Sequence, residues 1–593
     1  MDNYQPPIED LRFAIRTHGL LDEVLALPGN EELDPDTVDS ILEEAGKFAA
    51  DLWGQSNEIG DKNGAKFKDG KVLTNDKLRE AYQAFCEAGW ISLHAPLEFG
   101  GQNLPHIVSA ACDELWDSGN LALSLLPMLS NGAMASIARH GDENLKNLVL
   151  EKMVTGEWSG TMNLTEPQAG SDLSFVATRA VPNGDHYLIS GQKIFITWGD
   201  HDLCDNIIHL VLARLPDAPA GSRGISLFVV PKFHLEGDSV GEFNNVNCVS
   251  IEHKMGIHGS PTCVMEFDKS KGYIIGEPNK GLRYMFTMMN HARLNVGIEG
   301  HAVAERAFQH AREYAIQRIQ SIDVAKKSDK AVPIIQHPDV RRMLLVQKTT
   351  LQAQRAMYLM TAALLDKAAH HPNPDEAAQC QRMAEFMVPI IKAFCTENGV
   401  TLTNLALQCF GGMGYVEETG VAQFVRDVRI TPIYEGTNGI QALDLLGRKT
   451  NADKGATAGL FMKRIERYAE QLEELMPVEA LQIQKGLITV KHCIQGLIAL
   501  FDKHEIEKAA AGSIPYLMMM GTMIGAGEMA KACMYAKRAL NNPENAIHSP
   551  DFYRRKIETA KVYFDYVLPL VNSYTTRILE GADAILSIDP YEI

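Results

Sequence analysis

Residues 175–198 read FVATRAVPNGDHYLISGQKIFITW. Valine, isoleucine, threonine and aromatic side chains crowd this stretch in short apolar runs that suit a pleated, half-buried surface. Asn183-Gly184 interrupts them with the chemistry of a tight hairpin turn, where positive φ is needed. The texture continues in IIHLVLARL (207–215), GISLFVVPKF (224–233) and TCVMEFDKS (262–270). Together these predict a β domain over 161–272. Phe195 and Thr197 alternate with Ile194 and Ile196, so they are expected on one face of a strand.

On both sides of this block the period is helical. DTVDSILEEAGKFAADLW (36–53) places Val38, Ile41, Leu42, Ala45 and Phe48 on one face, with Asp36 or Thr37 as the N-cap. LHAPLEFGGQNLP (93–105) is a Pro/Gly break between helices. From Gly281 three long helical patterns follow, and Pro389 can kink the third. Beyond Lys454 the sequence returns to amphipathic period 3.6 and reads as an added bundle, for which a structural or oligomerisation role is favoured over binding a partner or a membrane surface. The predicted class is α+β. Its parts are an extension (1–35), an N-terminal helical domain (36–160), a middle β-barrel or sandwich domain (161–272), a C-terminal helical bundle (281–450) and an additional helical domain (455–593).

The chain has 593 residues, 46% of them apolar, enough for about three to five packed domains. Its net charge of −19, without a long basic block, argues against nucleic acid, whose phosphates demand Lys and Arg clusters. The first residues carry acids and no basic run before an apolar one, so no signal peptide is read and a cytoplasmic location is expected. The ten cysteines are scattered, which predicts buried thiols and no metal site. The apolar window from Ile514 contains Glu528 and Lys531, so no transmembrane segment is expected. Its Gly521, Gly525 and Gly527 suit close helix packing.

Chemistry concentrates in TPIYEGTNGIQALDLLGRK, residues 431–449. Glu435 stands between an aromatic residue and a Gly-Thr-Asn-Gly run that opens a helix. Locally it could simply favour that helix N-terminus. Three other strings carry more weight beside it: NLTEPQAGSDL (163–173), GQKIFIT (191–197) and QCFGGMGY (408–415). In this order and spacing they resemble the acyl-CoA dehydrogenase family over about 36–450, and the two extensions resemble its longer bacterial members.

The resemblance implies FAD, an acyl-CoA substrate, electron-transferring flavoprotein as acceptor and a homodimer or homotetramer. It places Met162, Leu164 and Thr165 along the isoalloxazine ring and Ser171 near the pyrophosphate and the substrate, where ordinary loop chemistry is the plainer alternative. Phe195 would stand behind the flavin and Thr197 near N5; alone, both read as core strand. Trp198 departs from the usual small polar residue and is expected to reshape the flavin's surroundings or the acceptor face. Arg318, Gln408, Gly411 and Gly412 match residues at the FAD diphosphate of a neighbouring subunit; a solvated helix-end charge and a helix C-cap are the local alternatives. Thr437 matches a cofactor contact.

The reaction implied is α,β-dehydrogenation to a trans-2-enoyl-CoA. An α-proton must go to a base within hydrogen-bond reach while a hydride leaves Cβ for flavin N5. By resemblance Glu435 is that base and its backbone N–H binds the thioester oxygen. Gly436 lets the chain pass close to the acyl group, and Tyr434 and Arg293 contact the substrate. In some branches the base lies on the helix near Gly297–Gly300, where this chain has Glu299. The rivals are an acyl-CoA oxidase, a noncatalytic flavoprotein scaffold and a nitroalkane-type oxidase, which would carry Asp as base. Butanoyl, long-chain and methylthio-propanoyl thioesters all stay open.

Overall fold

The computed structural model describes residues 4–236, 239–326 and 329–593. It divides into two compact units. The first holds 4–46, 105–115 and 296–593, the second 47–104 and 116–295, within the described residues.

The second unit is built on a mixed sheet of seven strands: β1 (Trp158–Asn163), β2 (Arg179–Asn183), β3 (His186–Thr197), β4 (Asn206–Arg214), β5 (Ile225–Pro231), β6 (Val246–Ile251) and β7 (Thr262–Ile275). Pairing runs β7–β3–β2–β4–β5 and returns to β7, so the sheet closes on itself; β6 flanks β7 and β1 lies parallel to β4. β4 is buried along nearly its whole length, which explains its uninterrupted apolar run. β2 and β3 form the expected hairpin, with Asn183 opposite His186 and Gly184 at φ +67.

Two expectations need correction here. A hairpin, Lys66–Lys68 with Lys71–Leu73, lies within the segment read as helical. Between Ile196–Cys263 and Lys193–Met265 the β3–β7 register slips, leaving one extra residue on β3. That bulge ends the simple alternation: Phe195 takes φ +58 and is 59% exposed, while Thr197 is half-buried.

The first unit is helical. Its long helices Pro338–His370 and Pro374–Cys409 pack together, and Pro389 does not end the second. The helix Gly281–Gln317, which enters this unit at Val296, meets the second of them along a seam of small residues. A Cβ on Gly300 would stand 2.9 Å from Thr396 Cα, and one on Gly399 would stand 2.5 Å from the Gly300 carbonyl oxygen. Gly300→Ala is therefore expected to destabilise the protein by about 1–3 kcal/mol through overpacking, read from the midpoint of thermal or urea unfolding.

The first helix of this unit's extension, Ile8–Thr17, buries Leu11, Phe13 and Ile15. Phe13 packs with Ala532, Ala536, Phe552 and Tyr553, so the two ends of the chain share a core. His18 pairs with Glu528 at 2.7 Å in the same region. The glycines of the apolar window behave as their spacing predicts: Gly521 lies against Phe394, Gly525 against Tyr563 and Gly527 against Ile465. The helix Pro35–Phe48 is capped by Asp34, which accepts from the Thr37 N–H at 2.7 Å, rather than by Asp36 or Thr37. Pro35 takes the first helical position, where its missing N–H costs nothing.

All ten cysteines are free thiols. Among the described residues one helix, His106–His140, is long and apolar enough to cross a membrane, and its apolar window is 83% buried inside the structure.

Candidate active site

The turn that carries Glu435 is fixed by its own backbone. Tyr434 donates its N–H to the Ile430 carbonyl, and Asn438 donates to the Pro432 carbonyl. Between them Glu435 has φ +56 and Gly436 φ +85. Glycine tolerates this region, but glutamate gives up about 1–2 kcal/mol there. The helix Asn438–Asp444 that follows is capped by the Thr437 hydroxyl, which accepts from the Ile440 N–H at 3.3 Å. Glu435 lies two residues outside that cap. Thus the Thr437 hydroxyl caps the helix start, and Glu435 holds its left-handed backbone outside that cap.

Side chains further along the unit pin this turn. Asn438 accepts from Lys392 Nζ at 2.9 Å and donates to Glu397 at 2.8 Å. Gln441 donates to the carbonyls of Glu435 and Gly436, both at 3.3 Å. Tyr434 donates its hydroxyl to Glu299 Oε2. Glu299 is 1% exposed, and its Oε1 is buried without a hydrogen-bond partner among the described residues. Burial pushes the Glu299 carboxyl up to about 8, against the Tyr434 hydrogen bond, and the charge of Glu435 adds to the rise.

In the second unit the structure brings together two strings that are distant in sequence. The end of β1 and the loop after it, Met162 to Thr165, run beside Lys193–Thr197 of β3. Ile194 donates its N–H to the Thr165 carbonyl at 2.9 Å, and the Thr161 hydroxyl donates to the Thr197 carbonyl at 2.8 Å. Met162 is buried, Leu164, Thr165 and Thr197 are half-buried, and Phe195 faces outward on its bulge. An exposed aromatic side chain beside hydroxyls and backbone edges offers a stacking surface and hydrogen-bonding groups of the kind a flavin ring can use.

The loop is anchored by a residue the sequence reading passed over. Glu166 is buried against Lys193 at 2.7 Å and also accepts from the Thr178 hydroxyl and the N–H groups of Ala177 and Thr178. Ser171 is exposed on the same loop. Trp198 corrects an expectation: it is fully buried, and its indole N–H donates to the Ala122 carbonyl at 3.1 Å, so it serves the core and presents no face to a ligand. Arg293 is buried, with its guanidinium 5.8 Å from the Phe286 ring centre.

Gly411 and Gly412, back in the first unit, open a tight turn after the helix Pro374–Cys409, and Gln408 is exposed one turn earlier. A Cβ on either glycine would meet nothing within 4 Å. Gly411 has φ +58, so its conformation and this open space both suit backbone approach by a phosphate. Arg318 is exposed just past its helix and bonds to the short strand that follows it, Ile319–Ile322, at the Ile319 carbonyl (3.0 Å) and Gln320 (3.1 Å).

Glu114, His301 and Glu305 place ligand-type atoms within 4.8 Å of one another. The Arg355 guanidinium bonds Glu114 at 2.5 Å and Glu305 at 3.1 Å, supplying the positive charge such a cluster needs. Burial alone would raise the Glu114 carboxyl; Arg355 and His301 outweigh it and hold it well below the usual range.

Family models match four successive segments: acyl-CoA dehydrogenase N-terminal domain (62–157), middle domain (161–270) and C-terminal domain (279–449), and acetyl-CoA dehydrogenase C-terminal like (461–589). The chain is 45% identical over 601 residues to 3-methylmercaptopropionyl-CoA dehydrogenase of Ruegeria pomeroyi, covering 98% of this chain and 99% of the relative. It is 33% identical to a butyryl-CoA dehydrogenase of Syntrophomonas wolfei, covering 98% of each. Caenorhabditis elegans ACDH-11 in complex with C11-CoA shares the fold with a TM-score of 0.77 at 20% identity, over 100% of this chain and 97% of that one. The acyl-CoA dehydrogenase complexed with FAD from Bacillus anthracis gives 0.73 at 20% identity, over 96% and 93%. These relatives do not favour an oxygen-using oxidase. The chain belongs to the acyl-CoA dehydrogenase family, as an FAD-dependent oxidoreductase acting on CH–CH bonds of acyl-CoA thioesters.

Proposed function

We propose that Glu435 is the base that removes the α-proton of the acyl-CoA. The observation that carries this reading is its left-handed backbone. A glutamate held at φ +56, two residues outside a helix already capped by Thr437, occupies a left-handed conformation that costs free energy and that glycine would adopt more readily. A carboxylate so placed can take a proton from carbon when a bound acyl chain excludes water and raises its proton affinity. The Glu435 N–H serves the thioester oxygen as charge develops on it. Gly436 gives the acyl group room, and Tyr434, Ser171 and Arg293 are assigned to the substrate. FAD, when bound, supplies N5 as acceptor for the hydride from Cβ.

Met162, Leu164, Thr165, Phe195 and Thr197 are assigned to the flavin ring, with Ser171 toward the pyrophosphate. Arg318, Gln408, Gly411 and Gly412 are assigned to the diphosphate of a neighbouring subunit, which makes the active form a homodimer or homotetramer. Thr437 reaches the cofactor from its capping position. Electron-transferring flavoprotein is the acceptor and the cytoplasm the location, both by family likeness. The 45% identical relative makes 3-methylthiopropanoyl-CoA the first substrate to try, and butanoyl-CoA the second.

The test is anaerobic titration of the yellow protein with short, medium, long and 3-methylthiopropanoyl thioesters. Bleaching of the flavin band by one chain class is expected, with the matching trans-2-enoyl product. Bleaching by none of them would contradict the proposal.

A further inference from the structure

The turn that presents Glu435 is tied to a second carboxyl that the reaction as written does not use. Glu299 lies on the helix Gly281–Gln317 between Gly297 and Gly300, the glycines of the seam. A Cβ on Gly297 would stand 2.5 Å from Ile391 Cγ2, so the helix must lie close against Pro374–Cys409, and that approach holds Glu299 under the turn. One carboxyl oxygen takes the Tyr434 hydroxyl; the other is buried with no hydrogen-bond partner among the described residues. A buried carboxylate with one hydrogen bond and an orphan oxygen is costly, whereas a neutral carboxyl is tolerable.

We propose that Glu299 is a positioning residue for the dehydrogenation, a second carboxyl that keeps its proton while the enzyme works, anchoring Tyr434 and leaving the negative charge on Glu435. The inference rests on the reading of Glu435 as base and of Tyr434 as part of the acyl pocket. A protonated Glu299 is compatible with an apolar chain beside Tyr434. An ionised one would face that chain as an unsolvated anion and would repel the charge on Glu435.

The groups facing Glu299 are Tyr434, Glu435, Lys392 and Asp113. The Tyr434 hydrogen bond and Lys392 favour its anion; Glu435 and Asp113 disfavour it, and burial outweighs them all. Lys392 binds Asn438, and burial pushes Asp113 up to about 7. When Glu299 ionises, its proton passes to water, and kcat/KM falls with it.

Two readouts on the holoenzyme test this. The first is the pH profile of anaerobic flavin reduction, and the second is infrared titration of the protonated-carboxyl band. Wild-type kcat/KM is expected to decline above about pH 8, and a carboxyl band to disappear over the same range. Glu299→Gln should slow reduction less than about ten-fold at pH 7, well short of a lost base, while removing both the alkaline decline and the band. Tyr434→Phe removes the bond that favours the anion, so it should move the decline to higher pH; it serves as the test if Glu299→Gln fails to fold.

The proposal is overturned if Glu299→Gln keeps the alkaline decline, or if it loses no carboxyl band relative to wild type. It is equally overturned if that variant bleaches no better than Glu435→Gln, because Glu299 would then be the base. Near-normal bleaching by Glu435→Gln would sink the reading of the base instead. The infrared difference between wild type and Glu299→Gln isolates the Glu299 band from that of Asp113, so the two failures are distinguishable.

Discussion

Glu435→Gln is expected to slow flavin reduction by acyl-CoA by about 10²–10⁴-fold, the loss that follows removal of a general base. The amide keeps the shape of the side chain and cannot accept the α-proton. Stability should change by less than about 0.5 kcal/mol, because the turn is held by other groups. Those groups are Asn438 on Lys392 and Glu397, Tyr434 on Glu299, and Gln441 on the turn's carbonyls. FAD content and melting temperature measured beside the stopped-flow trace would therefore match wild type. Glu435→Asp keeps the charge but withdraws it by one methylene, and a cost of about 10² is expected from misplacement alone.

Arg355→Leu is expected to destabilise the protein by about 3–5 kcal/mol, the usual result of breaking one side of a buried ion pair. Arg355 is 3% exposed, and its removal strands the buried carboxylates of Glu114 and Glu305. Tyr358 and His301 also face Glu114, and neither can replace the guanidinium fork. A second change, Glu114→Gln, removes one stranded charge and should recover part of the loss. The comparison is made on unfolding midpoints of wild type and the single and double variants. A shift no larger than that of a surface substitution would show the cluster to be dispensable.

What could be read from sequence follows the range of the interactions. The hairpin β2–β3 and the amphipathic helices are written in neighbouring residues, so period and turn chemistry revealed them. Glu435 stood out because its strangeness is local: an acid beside glycine just before a helix. The hairpin Lys66–Leu73 escapes a reading by apolar pattern because half of its residues are charged and its strands are three residues long, although Asp69-Gly70 is a turn signal, with φ +53 and +75. Phe195 is legible as an aromatic on a strand, but its bulge is not, since register depends on how β7 pairs with β3. Glu299 was seen only as another place for the base. Its bond to Tyr434 spans 135 residues, and the helix that carries Glu299 lies against its neighbour at glycines. Lys392 with Asn438, and Glu166 with Lys193, are likewise pairs made by folding.

The central claim is that Glu435 takes the α-proton, and proton transfer can be watched apart from hydride transfer. A 3-thia-acyl-CoA carries sulfur in place of Cβ, so it has an acidic α-hydrogen and no β-hydride to give. Washout of deuterium from its Cα into water, followed by mass spectrometry on the wild-type holoenzyme and on Glu435→Gln, is the measurement that tests the claim most directly. Rapid washout on the wild type, slowed at least about 10²-fold in the variant, is the result predicted. Washout at the wild-type rate in Glu435→Gln would contradict it.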